Sequence, residues 1–377
     1  MKIKKDFIGM FDVLKGHIMF LIVISHVILE ISGTLGENST SLLSHAVEFC
    51  RYNIVPMCVF FLLIGYGFRP EARLKKHFSE MAERYLLPYG ITSVFIVAIS
   101  VVCGIIRGNF GIGTVTSSIL GCLWGNVDTF RLFHSVWVNG INTIWFITAM
   151  FVSECLYNLS FKIKKERLRQ AVIFGISVLA CFIPNNDLLY KNYGFRLMWS
   201  LKAALVVLGV LEVGHVLKQT KFLYNKAKLR IIIPAGVLTA AATIIMHYVS
   251  DANLARGRLK FGAIDMLVAT AAAVLIIYLY VRLKLPLLKI TIPAEFVGRY
   301  SFWVMCIHGV EMVVHDIFSY EINVIIDGLF AGGVPVWGLV TGLYIIRLLT
   351  IAVPFAAVYF VNRFRVSQKL KEMRKNG

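Results

Sequence analysis

About ten apolar stretches alternate with short polar connections along the chain, centred on 14–32, 53–68, 87–106, 143–160, 170–184, 198–217, 230–249, 262–282, 296–319 and 335–361. Each is close to the roughly 20 residues that a helix needs to cross a hydrocarbon core. The stretch at 170–184 is short and ends in IPNN. The pattern predicts an all-α, polytopic membrane helix bundle of about ten transmembrane helices. No repeat, low-complexity segment or long linker divides it, so a single domain over 1–377 is expected. The longest connection, 107–142, is expected to fold back onto the bundle.

Basic residues gather in every second connection: MKIKK at the start, then 69–84, 162–169, 218–230, 282–289 and the C-terminal run. The intervening connections carry few, with RGRLK at 256–260 as the exception. This is the positive-inside arrangement, and it puts both termini in the cytoplasm. Composition agrees: 58% of residues are hydrophobic, 16% are charged, and mean hydropathy is +0.74. A soluble globular protein does not have that balance. The net charge of +18 therefore reads as topology, with anionic lipid or a phosphate-rich ligand as its partner and no nucleic acid.

The seven cysteines are scattered, most of them within spans, and none has ligand spacing. They read as small hydrophobes, and no metal site is implied. The basic N-terminus followed by an apolar run has no small-residue cleavage pattern, so it reads as the first spanning helix.

One apolar stretch carries charge. FDVLKGHIMFLIVISHV, 11–27, holds Asp12, Lys15 and His26. Eleven residues make about three helical turns, which puts Lys15 and His26 on nearly one face, roughly 16 Å apart along the axis. Lys15 at the inner interface leaves His26 at or beyond mid-bilayer. These residues alone allow two readings: a snorkelling lysine with a hydrogen-bonded buried histidine, or a functional pair.

FDVLKGHIMFLIVISH resembles the first helix of the acyltransferase 3 family of membrane proteins, with Asp, Leu, a basic residue followed by Gly, and a histidine further on. Four later stretches match in order. VPMCVFFLLIGYGFR, 55–69, is similar to the family's second helix, with Ile64 where a Ser is usual; ERYLLPY, 83–89, is similar to the Arg and Pro that open its third. GINTIWFITAMFVSECLY, 140–157, resembles the Trp-Phe segment, and VGRYSFWVMCIHGVEMVV, 297–314, the late Gly-x-x-Ser helix ending in Ile-His. The poorest coverage lies in 107–140 and 220–260.

The resemblance implies transfer of an acyl group, expected to be acetyl, from acyl-CoA to a hydroxyl of a sugar or other cell-envelope acceptor, as in polysaccharide O-acetylation. A hydroxyl needs a general base as it attacks, and neutral imidazole suits that work near pH 7, which makes His26 the candidate. The donor's phosphates would lie in the cytoplasm against Lys15, Arg69, Arg73, Lys75, Lys76, Arg84 and Arg299. Its flexible arm would carry the thioester towards His26. Acyl-CoA is then a substrate, no cofactor is tightly bound, and a multi-pass bacterial plasma-membrane location is expected.

Other polar residues within spans remain candidates for an acceptor or supporting site. His308, Glu311 and His315 recur on one helical face, Glu30 lies one turn beyond His26, and Glu154 and Arg347 stand alone in apolar helices, able to pair with each other or elsewhere. Glu212 with His215 reads as a solvated pair, and Lys202 and Asp265, near the outer ends of their spans, are open equally to a functional or an interfacial reading. A carrier or flippase for lipid-linked glycans is the alternative function. Buried charges suit transport too, although no inverted repeat is visible.

Overall fold

A computed structural model describes residues 7–36, 41–51, 54–108, 110–223, 229–283, 292–354 and 356. The N-terminal basic run, most of 282–289 and the C-terminal basic run lie outside them. Helices occupy all ten apolar stretches within the described residues. Five are long and apolar enough to cross a membrane: Gly9–Leu35, Leu74–Ile106, Ile232–Val249, Ala263–Arg282 and Val336–Pro354. Three bent pairs raise the number to eight if each counts as one span. Ile54–Gly67 and Trp145–Ser160 are shorter, with 14 and 16 residues. Both are buried among other helices along most of their length, where spanning the full thickness is unnecessary.

Polarity is arranged inside out. Val94, Leu238 and Leu267 are about 70% exposed, whereas Glu212, Asp265, Arg169 and Arg347 are buried. A surface that apolar suits contact with lipid, and the interior charges survive because they are paired. Arg169 donates to both carboxylate oxygens of Glu212, at 2.5 and 2.8 Å, and the Tyr157 hydroxyl donates to Glu212 at 2.7 Å. The solvated Glu212–His215 pair is therefore corrected: Glu212 is held by a guanidinium from the helix Glu166–Cys181, which its own helix did not reveal. Asp265 accepts from Ser250 Oγ and the Phe261 amide, and Lys202 Nζ donates to the Ile183 carbonyl, so these two are buried rather than interfacial.

The connection 107–142 folds back as a helix, Ile112–Trp124, followed by a hairpin pairing Phe130–Leu132 with Val136–Val138. At this end Asp128 bonds Arg196 at 2.9 Å and Arg256 at 2.9 Å, and Arg258 bonds Asp187 and Asp251 at 2.9 and 3.0 Å. Burial raises the Asp128 carboxyl, but the two guanidinium partners outweigh it and hold the group below its usual range. The RGRLK exception to the charge pattern is thus neutralised locally by carboxylates from three connections.

Close helix crossings set the rest. A Cβ on Gly16 would lie 1.8 Å from the Ala294 carbonyl oxygen, and one on Gly298 would lie 1.7 Å from that of Asp12. Gly65 and Gly214 interlock in the same way, at 2.0 Å from the Leu211 oxygen and 2.2 Å from the Leu62 oxygen. Backbones can approach this closely only where no side chain intervenes.

Candidate functional site

The Gly16–Gly298 crossing brings the start of the first helix, Phe7–Leu35, against the short helix Ile292–Arg299. Lys15 Nζ lies 2.8 Å from Asp12, Arg299 Nε is 3.9 Å from the other Asp12 oxygen, and Arg299 donates to Glu295 at 2.6 Å. Asp12 is thus a hinge of charge between two cations. Beside it opens a cavity of about 620 Å³, at the end of the bundle that carries the basic connection 69–84. Lys15, Arg69 and Arg84 line it, as do the carboxylates of Asp12, Glu71, Glu80 and Glu154.

The Leu74–Ile106 helix widens to a π turn over Ala82–Leu86. Pro88 has no N–H to give the Arg84 carbonyl, and the Leu87 amide bonds back to Ala82 instead. On this turn Tyr85 points inward and donates its hydroxyl to Glu154, with Arg84 alongside. Glu154 therefore sits in the wall of this cavity. It neither pairs with Arg347 nor joins the polar groups of the late helix, since its own helix face turns towards Tyr85.

Three turns along the first helix the second cluster begins. The rings of His26 and His308 have centroids 5.4 Å apart. His308 is fully buried and its Nδ1 lies 3.0 Å from Glu311. Arg347, 2% exposed, donates to Glu30 and has its Nε 3.5 Å from Glu311; His315 also contacts Glu30. His26 is only partly buried. Among the described residues, no three His, Cys, Asp or Glu side chains are grouped as metal ligands would be.

Five of the six candidates for an acceptor or supporting site thus converge with His26: Glu30, His308, Glu311, His315 and Arg347. Gly309 makes room for this by packing on Ile144 and Thr143, whose side chains a Cβ there would meet at 2.3 and 3.3 Å. Asn142, in the left-handed region at φ 51, donates to Asp316 at 2.5 Å. The GINTIW stretch therefore docks the late helix.

The basic candidates separate. Lys15, Arg69 and Arg84 line the cavity, and Arg299 reaches its edge through Asp12. Arg73, Lys75 and Lys76 lie outside its walls on exposed positions, and Lys76 is held by Glu71 at 2.8 Å. Sequence reasoning left Asp12, Tyr85 and His77 without a role. His77 is buried in the cavity wall with its Nε2 unpartnered. Its signal was faint: one histidine in a short basic helix, Leu74–Met81, otherwise amphipathic.

The acyltransferase 3 family model, described as an acyltransferase domain, matches residues 8–360. No curated protein and no solved structure matches the chain.

Proposed function

The chain belongs to the acyltransferase 3 family, and from that premise we propose that this membrane acyltransferase moves an acyl group, acetyl first among candidates, from acyl-CoA to an acceptor hydroxyl of a sugar or other envelope component. The observation that carries the reading is the first helix, which sets Lys15 in the wall of a cavity at the basic end and His26, three turns on, beside His308. Phosphates of the donor bind Lys15, Arg69 and Arg84 in the cavity, with Arg299 steadying Asp12 at its edge. Arg73, Lys75 and Lys76 outside the walls raise the local potential that draws an anion in.

The cavity lining carries four carboxylates to three cations. Selectivity therefore comes from where the guanidinium and ammonium groups point, and an anion displaces Lys15 from Asp12 as it binds. The donor's arm reaches from there towards the middle of the bundle. His26 takes the proton from the attacking hydroxyl, the new C–O bond forms as the C–S bond breaks, and the proton passes to the departing thiolate. Glu311 fixes the His308 tautomer by accepting at Nδ1, and His308 in turn packs against the His26 ring and limits its rotation.

Calorimetry of acetyl-CoA, succinyl-CoA and free CoA on the purified protein tests this against Lys15→Ala and His26→Ala. One lost charge-assisted contact is worth about 1.5–3 kcal/mol, so Lys15→Ala should bind donor roughly 10- to 100-fold more weakly. His26→Ala should bind normally and transfer nothing. Equal transfer by His26→Ala and wild type sinks the base assignment.

A further inference from the structure

The late helices splay. Ser301–Ile317 and Ser319–Ala331 meet at 78° about Phe318, and Val336–Pro354 returns beside them. The angle leaves a groove of about 640 Å³ between the three. Its walls are mostly aliphatic, with Val310, Val314, Ile326 and Leu343 typical, and no Phe, Tyr or Trp lines it. Ile325, Leu329 and Ile346 at the rim are about half exposed or more. In a membrane protein such a rim faces lipid, so the groove opens sideways into the bilayer.

The wall facing the bundle is different. Glu311, His315 and Arg347 line the groove there, and they belong to the cluster that includes His26. Arg347 is 2% exposed and its Nε makes no hydrogen bond, lying 3.5 Å from Glu311, while His315 Nε2 and Glu30 Oε1 face each other. An apolar slot leading from lipid to a wall of polar and charged side chains fits an amphiphile: a chain along the apolar walls and a polar head at the inner wall.

Charge selects the head. One guanidinium already stands between two carboxylates, Glu30 and Glu311, so no positive surplus remains to hold a phosphate. Hydroxyls, which donate and accept, match this mixture of groups. We propose that the groove admits a neutral lipid with a single long chain and a hydroxyl-bearing, sugar-like head, delivered from the bilayer and not from water. That this lipid is the acyl acceptor rests on the proposed transfer at His26; that it binds does not.

The test uses the full chain in phosphatidylcholine nanodiscs without any donor, with a photoreactive alkyl glucoside bearing a diazirine on its chain. Two glycines in the groove wall have room for the first atom of a side chain that would fill the slot. A Cβ on Gly342 meets nothing within 4 Å, and the atoms nearest one on Gly338 belong to the Pro335 and Val334 side chains, at 3.4 Å or more. Labelling is expected on peptides from 301–354, reduced at least tenfold in Gly342→Phe and in Gly338→Leu, and competed by unlabelled alkyl glucoside but not by glucose or alkyl phosphate. Labelling spread evenly over all lipid-facing helices, labelling unchanged in both variants, or competition by alkyl phosphate overturns the proposal. Release of CoA from acetyl-CoA is measured in parallel to keep the two ideas separate. Focused labelling without CoA release removes the transfer reading and leaves the groove, whereas CoA release at the wild-type rate in both filled variants removes the groove as acceptor route and leaves the transfer.

Discussion

Replacing Gly298 by alanine should damage donor binding although the residue touches no ligand and adds one methyl. The added Cβ would lie 1.7 Å from the Asp12 carbonyl oxygen, and such contacts do not fall below 3.0 Å. The two backbones must therefore separate by about 1.3 Å. Neither obstacle is a flexible side chain, because both sides of the crossing are helix backbone. Overpacking of this kind costs about 1–3 kcal/mol, more than the gain of up to ~1 kcal/mol that alanine brings to a helix over glycine. The shift acts on Asp12, which holds both Lys15 and Arg299. A misplacement of about 1 Å in a positioned group can cost on the order of a hundredfold in rate. Gly298→Ala should then unfold at lower temperature and bind acetyl-CoA at least tenfold more weakly by calorimetry. Gly33→Ala, in the same first helix with nothing within 4 Å of the new methyl, is the matched control and should be as stable as wild type or more so. A Gly298→Ala protein with wild-type unfolding temperature and donor affinity would refute the claim that this crossing positions the basic cluster.

The buried Arg169–Glu212 pair predicts an asymmetry between single and double replacement. Glu212→Ala leaves a guanidinium stranded and should cost about 3–5 kcal/mol, while Arg169→Met with Glu212→Leu should restore most of it, read as unfolding midpoints of both variants. At the opposite end, Asp128 is held below its usual range, so its folded form binds a proton less readily than its unfolded form. Its contribution is present above the unfolded value near ~4 and is lost as pH falls through that value to the folded one. Asp128→Asn should therefore be less stable than wild type at neutral pH, and the two melting curves should converge between about pH 5 and pH 3; a gap that stays constant over that range contradicts the linkage.

Several features were legible in the chain because they are local. The ten hydropathy runs each marked a helix within the described residues, and the three-turn spacing put Lys15 and His26 on one face of a helix that did form, Phe7–Leu35. The stripe His308, Glu311, His315 was readable from i,i+3 and i,i+4 spacing alone. The paired glycines were visible as letters but not as partners, since Gly16 and Gly298 are far apart in the chain and their meeting is a property of two surfaces. Hydropathy reports that a helix is buried, not whether lipid or protein buries it; Ile54–Gly67 is wrapped by other helices.

What the sequence determined by itself is the material: an all-helical membrane chain, its basic and neutral connections, and a first helix with a cation and an imidazole on one side. Tertiary structure alone decided the company these residues keep. Two lone charges, Glu154 and Arg347, could have neutralised each other, yet one accepts from Tyr85 in the cavity wall and the other bridges Glu30 and Glu311 beside His26. The reason is physical: in a low-dielectric interior every charge must find a partner, but which partner depends on helix crossings that the glycines permit and that no single helix encodes.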